Sequence, residues 1–138
     1  MSIEDELVQQ LQRDGRLLNG TPMKGCELSE PEILDMLAQQ YPRQPYCLVK
    51  DWLLVDLEGL PEELDAIQAH GFEPRLVFAH SMLRDSRMRF APGSWIRTTF
   101  QVALDEAAGI FVSRNTVYVL VGPGFRKSVP LSIVLRWR

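Results

Sequence analysis

Residues 94–124 read SWIRTTFQVALDEAAGIFVSRNTVYVLVGPG, and this stretch decides the fold. Residues 116–121 are β-branched, aromatic or large aliphatic, which suits a pleated, packed surface. The run is apolar on both parities, so it predicts a strand buried on both faces. Gly122-Pro123-Gly124 closes it as a hairpin turn, since proline cannot donate to a ladder and glycine permits positive φ. Upstream, Ser113-Arg114-Asn115 carries turn chemistry, so residues 110–112 are expected to pair back as a short strand. Residues 95–104 are the expected longer partner. Ile96, Thr98, Phe100, Val102 and Leu104 share the more apolar parity and should face the core. Together these runs predict an antiparallel meander.

Working back toward the N-terminus, residues 74–83 form another expected strand, and residues 84–92 (RDSRMRFAP) form the most basic loop. Residues 46–57, YCLVKDWLLVDL, predict a long strand that Lys50 and Asp51 interrupt. At least one of those charges must meet the packed side or sit at a bulge. Residues 60–70 predict a helix with acidic residues in its first turn and Leu64, Ile67 and Gln68 inward, giving a βαβ-like crossover or a split variant. Ser29-Glu30-Pro31-Glu32 is a capping-box helix start. Ile33, Leu34, Leu37, Ala38 and Tyr41 follow it as an apolar stripe. Residues 17–28 are loop-like, residues 2–13 predict a first helix, and residues 131–137 are β-like.

These elements predict one α+β domain spanning residues 1–138. About three helices pack on a mostly antiparallel sheet of five to six strands, with residues 1–28 peripheral and 29–138 the core. At 138 residues the chain is long enough to bury a real core. No apolar run approaches the ~20 residues of a membrane span, and the acidic start MSIEDELVQQ lacks an apolar signal region. Cys26 and Cys47 lack metal or CxxC spacing, so reduced thiols and a cytoplasmic setting are expected. Charge is split along the chain. Residues 1–70 hold five Lys/Arg against fourteen Asp/Glu, net −9, and residues 71–138 hold ten against four, net +6. The halves either neutralise each other or present a basic face to a partner.

The familiar chemistries lack support. His80 and Ser81 are neighbours on a predicted strand, so their side chains diverge, and no GxSxG elbow accompanies Asp85. A buried, hydrogen-bonded His80 is expected instead. Asp51, Asp56 and Glu58 are weak metal candidates, because two histidines and two cysteines are too few and wrongly spaced. Residues 122–127, GPGFRK, lack the phosphate-loop spacing. The arginines carry more weight, because a guanidinium holds phosphate or carboxylate bidentately. Arg84, Arg87, Arg89, Arg97, Arg114 and Arg126 lie near predicted loops, and Trp95, Phe90 and Phe125 are available to stack.

The segments YCLVKDWLLVDL, LVFAHSMLRDSRMRF, PGSWIRTT and RNTVYVLVGPGFRK resemble a group of small uncharacterised bacterial proteins of unknown function. The similar part runs from about Ser29 to Lys127. The resemblance implies a bacterial, mobile-element setting, with no reaction and no catalytic residues. The expected function is a small non-enzymatic cytoplasmic binding protein, such as an inhibitor, immunity or anti-defence factor, whose partner is another protein. Its binding candidates are Arg84, Arg87, Arg89, Trp95, Arg97, Arg114 and Arg126. A nucleic-acid or nucleotide binder using those arginines is the second reading. An enzyme with a dispersed site at Asp51, His80 and Arg97 is the third. No cofactor, metal or membrane is expected.

Overall fold

The computed structural model of the chain describes residues 20–134, and the helix expected at residues 2–13 lies outside them. The elements are β1 (Thr21–Met23), α1 (Glu30–Gln40), β2 (Tyr46–Glu58), α2 (Pro61–Ala69), β3 (Arg75–Asp85), β4 (Ile96–Arg97), β5 (Ala103–Asp105), β6 (Ile110–Val112), β7 (Val117–Leu120), β8 (Gly124–Pro130) and α3 (Leu131–Val134).

The fold is organised on β2, whose residues are apolar on both parities and buried on both faces. One edge of β2 pairs antiparallel with β3 over nearly its whole length, from Cys47↔Asp85 to Asp56↔Arg75. The other edge is shared. Residues 46–49 pair in parallel with β7, and residues 53–58 pair in parallel with β8. β7 and β8 are therefore one interrupted strand, and Gly122-Pro123-Gly124 is a kink within it rather than a hairpin turn. The kink makes room for Trp52, which is fully buried and donates its indole N–H to the Gly122 carbonyl at 3.1 Å. The expected meander is present as β5–β6–β7, antiparallel throughout.

The fold differs from the expected three helices on a mostly antiparallel sheet of five to six strands. The described residues are mostly sheet: eight strands in one curled, mixed half-barrel with small helices. Some strands differ from the expected ones in place or extent. Residues 21–23 were expected as loop but form β1, antiparallel to β8. The expected strand at 95–104 is two strands, because it changes partner. Ile96 and Arg97 pair with β3, whereas Ala103–Asp105 pairs with β6. Between them, Thr98 N and Gln101 N donate to Val77 O and Arg75 O, both at 2.9 Å, and Val102 N donates to Val112 O at 2.7 Å. That strap joins the two margins of the curled sheet, so strict alternation fails. Gln101 is buried while Val102 is exposed. The βαβ expectation is corrected too, since β2 and β3 are antiparallel and α2 only links their ends. Residues 131–134 are helical, not β-like, because β2 ends at Glu58 opposite Pro130 and offers no further ladder.

Helices cover the sheet in two places. α1 is capped as its sequence requires: Ser29 Oγ accepts from Glu32 N, and Glu32 Oε1 accepts from Ser29 N at 3.0 Å. Its Ile33 and Leu37 bury against Leu48, Ile110, Val117 and Val119. Each such side chain contributes about 1.5–3 kcal/mol of burial. Leu64 and Ile67 of α2, with Leu131 and Val134 of α3, pack on Leu53, Val55, Leu76 and Phe78. A third cluster around Trp52, Leu54, Val77, Ala79 and Phe111 is built from strand residues alone. No described helix is long and apolar enough to cross a membrane.

Candidate functional site

Two carboxylates, Asp85 and Asp56, hold three of the arginines between them, Arg89, Arg75 and Arg126. Asp85 ends β3 opposite Cys47, with its side chain 1% exposed. It accepts from the backbone N–H groups of Arg87 (3.0 Å) and Arg89 (2.9 Å), and from Arg89 Nε (3.1 Å) and an Arg89 terminal nitrogen (3.2 Å). Arg89 also donates to Thr116 Oγ1 at 3.3 Å and reaches Cys47 Sγ at 3.5 Å. Burial would raise the Asp85 pKa, but these donors outweigh it and hold the carboxyl below its ordinary value. Burial, with Asp85 beside it, pushes the Cys47 thiol up to about 11. Cys47 is therefore protonated at neutral pH and is no thiolate nucleophile.

The second carboxylate, Asp56, lies toward the far end of β2. It accepts from Arg75 Nε at 2.7 Å and from Arg126 at 2.7 and 3.0 Å, and Arg126 also holds Glu106 at 2.6 Å. Burial opposes ionisation of Asp56, and the two guanidinium groups override it and lower its pKa. Arg84 pairs with Glu30 at the start of α1 at 3.2 Å. Arg75, Arg84 and Arg126 thus bring basic-half charge onto carboxylates of the acidic half. Asp56 was considered for metal from sequence, and it is an arginine clamp instead.

The remaining candidates occupy two other places. The first is the β3–β4 loop, which the Asp85 clamp orders. Its backbone is further tied by Met88 N to Asp85 O at 3.0 Å and Gly93 N to Met82 O at 2.7 Å. On it, Met88 is 83% and Phe90 50% exposed, and Leu83 just before it is 41% exposed. Arg87 flanks them, exposed and without an ion pair among the described residues. Trp95 closes the loop by stacking on Phe78, centroids 5.4 Å apart, so it belongs to the core edge rather than to an open stacking platform. The sequence contained one usable signal here: an aspartate before Ser-Arg-Met-Arg is turn-forming chemistry.

The second place is a cleft of about 440 Å³ that contains Arg97 and Arg114 together. Phe72, Leu76 and Phe100 line it, with Leu131 and Val134 of α3. Neither Asp51 nor His80 lines this cleft. His80 is exposed rather than buried as expected, and it lies across from Asp51, where the β2–β3 ladder skips a pair between Lys50↔Ser81 and Trp52↔Ala79. Asp51 sits in that break with φ 52. The cleft's aromatic pair was missed from sequence, because Phe72 and Phe100 lie far apart in the chain and meet only through the strap.

Among the described residues, no cluster of His, Cys, Asp or Glu could hold a metal ion. No curated protein and no solved structure matches the chain. The model of one family matches residues 24–136, nearly the full length and wider than the expected 29–127, and the chain belongs to that family, described as Domain of unknown function (DUF6957).

Proposed function

We propose that this protein is a small, non-enzymatic, cytoplasmic binding protein that grips another protein through its β3–β4 loop. The observation that carries the reading is an ordered loop with an apolar tip. Leu83, Met88 and Phe90 are exposed within one stretch, whereas the other exposed large apolar residues, Leu28, Leu60 and Val102, are scattered. Single exposed apolar residues are ordinary, whereas several gathered in one short ordered stretch support an interaction site. Methionine, aromatic and arginine side chains are the types enriched at interface centres. The Asp85 clamp holds the loop before any partner arrives, which lowers the ordering cost of association. Arg87, which has no ion pair among the described residues, lies between Leu83 and Met88 in the chain, so the partner presents an apolar pocket with an acidic rim. A role as inhibitor, immunity or anti-defence factor fits such one-sided recognition.

The test is affinity capture from bacterial lysate with the wild-type chain and with a Met88→Ser/Phe90→Ser double variant. The expected result is a stoichiometric protein retained by the wild type and lost by the variant, at equal melting temperature. A partner kept by the variant, or none at all, refutes the reading. The nucleic-acid reading has less support, since Arg84, Arg89 and Arg126 already engage carboxylates.

A further inference from the structure

We infer that the cleft beside α3 binds a small molecule that joins a flat apolar ring to an anionic head. Four separate segments meet there: the chain entering β3, the strap after β4, the β6–β7 turn and α3. Its volume of about 440 Å³ lies within the ordinary size of ligand sites. Leu76, Leu131 and Val134 are buried and give it an apolar floor. Phe72 and Phe100 stand in its wall with ring centroids 6.3 Å apart, tilted by 53°, and both keep partial exposure. A flat ring fits against such a pair, and stacking of this kind tolerates many ring types.

The charge of the site selects the head group. Arg97 and Arg114 both line the cleft, and among the described residues no aspartate or glutamate does. Arg75, Arg84, Arg89 and Arg126 are each matched with a carboxylate. Arg114 has no ion pair among the described residues. A guanidinium beside an apolar floor attracts an anion more strongly than one in open water, because the local dielectric is lower. Phosphate and carboxylate both match its bidentate geometry. Thr99 and Asn115 add neutral hydrogen-bonding groups at the same rim. Among the described residues no histidine, cysteine, lysine or carboxylate lines the cleft, so these groups hold a ligand and supply no general acid or base.

The experiment titrates the full chain, by amide NMR and calorimetry, with four probes: adenosine monophosphate, indole-3-acetate, adenosine and inorganic phosphate. At least one of the first two is expected to bind, shifting the amides of Phe100, Arg114 and Asn115. It should bind at least about tenfold more tightly than adenosine or phosphate alone, a difference of ~1.4 kcal/mol. Arg114→Ala should weaken it by a similar factor without lowering the melting temperature, and Phe72→Leu should weaken it independently. The better of the two probes identifies the head as phosphate or carboxylate. Binding must survive Met88→Ser/Phe90→Ser, which separates this site from the loop. Failure of both ring-and-anion probes, or unchanged binding to Arg114→Ala, overturns the inference.

Discussion

Gly124 has no side chain because the Trp52 ring occupies the space a Cβ would take. The indole is fully buried and cannot retreat, so Gly124→Ala must displace either the ring or the β8 backbone. Overpacking of this kind costs about 1–3 kcal/mol, and urea unfolding of the variant should show a loss of that size. Asp51 is a different case. It holds φ 52 within β2, in the left-handed region that aspartate, asparagine and glycine tolerate best. Asp51→Gly and Asp51→Asn should leave the melting temperature close to wild type. Asp51→Val should lower stability by about 1–2 kcal/mol. Equal effects of all three would show that backbone conformation is not what selects this residue. Sequence alone indicated that Lys50-Asp51 breaks a strand, but not which of the two takes the strain, because that depends on where Trp52 must point.

At the scale of elements, the β3–β4 loop depends on one carboxylate. Asp85 accepts from two backbone N–H groups and one guanidinium, and hydrogen bonds to charged groups contribute about 1.5–3 kcal/mol. Asp85→Asn should therefore destabilise the protein by about 2 kcal/mol at neutral pH. It should also raise amide exchange at Arg87 and Arg89 first. The pH dependence has a definite sign. The folded-state pKa of Asp85 is depressed below the ordinary 3.8, so its contribution is complete above that value and fades as the pH falls through the folded pKa. The stability gap between wild type and Asp85→Asn should narrow as pH drops below 3.8, measured by chemical unfolding. A gap that stays constant in acid would mean the carboxylate charge is irrelevant. Several elements were legible locally. The capping box of α1, the extent of β2 and the β6–β7 turn all follow from nearest-neighbour chemistry. β1, and the division of residues 95–104 into β4 and β5, were not, because short strands with exposed residues have no periodicity of their own. Their hydrogen bonds come from partners distant in the chain.

For the whole molecule, the decisive pairing is β2 with β7 and β8. Both are parallel ladders, and α2, β3, β4, β5 and β6 intervene in the chain. Loop closure must precede any reward from such contacts, so refolding should be slow, in the milliseconds-to-seconds range typical of non-local β topologies. Stopped-flow fluorescence of the tryptophans checks this, and microsecond refolding would contradict it. The charge asymmetry also resolves at this scale: Asp56 and Glu30 take up Arg75, Arg126 and Arg84, while Arg114 in the cleft and Arg87 on the loop have no ion pair among the described residues. By itself, the sequence determined the strand runs of β2, β3, β6 and β7, which helix opens on a capping box, and that no familiar catalytic motif is present, since those properties depend on residues within a few positions of each other. Only the tertiary structure decided the parallel partners of β2, the curl of the sheet, which arginines meet Asp56 and Asp85, and that Arg97 and Arg114 line one cleft. Side chains far apart in the chain meet only after the backbone has chosen its long-range register, and local physical chemistry does not encode that choice.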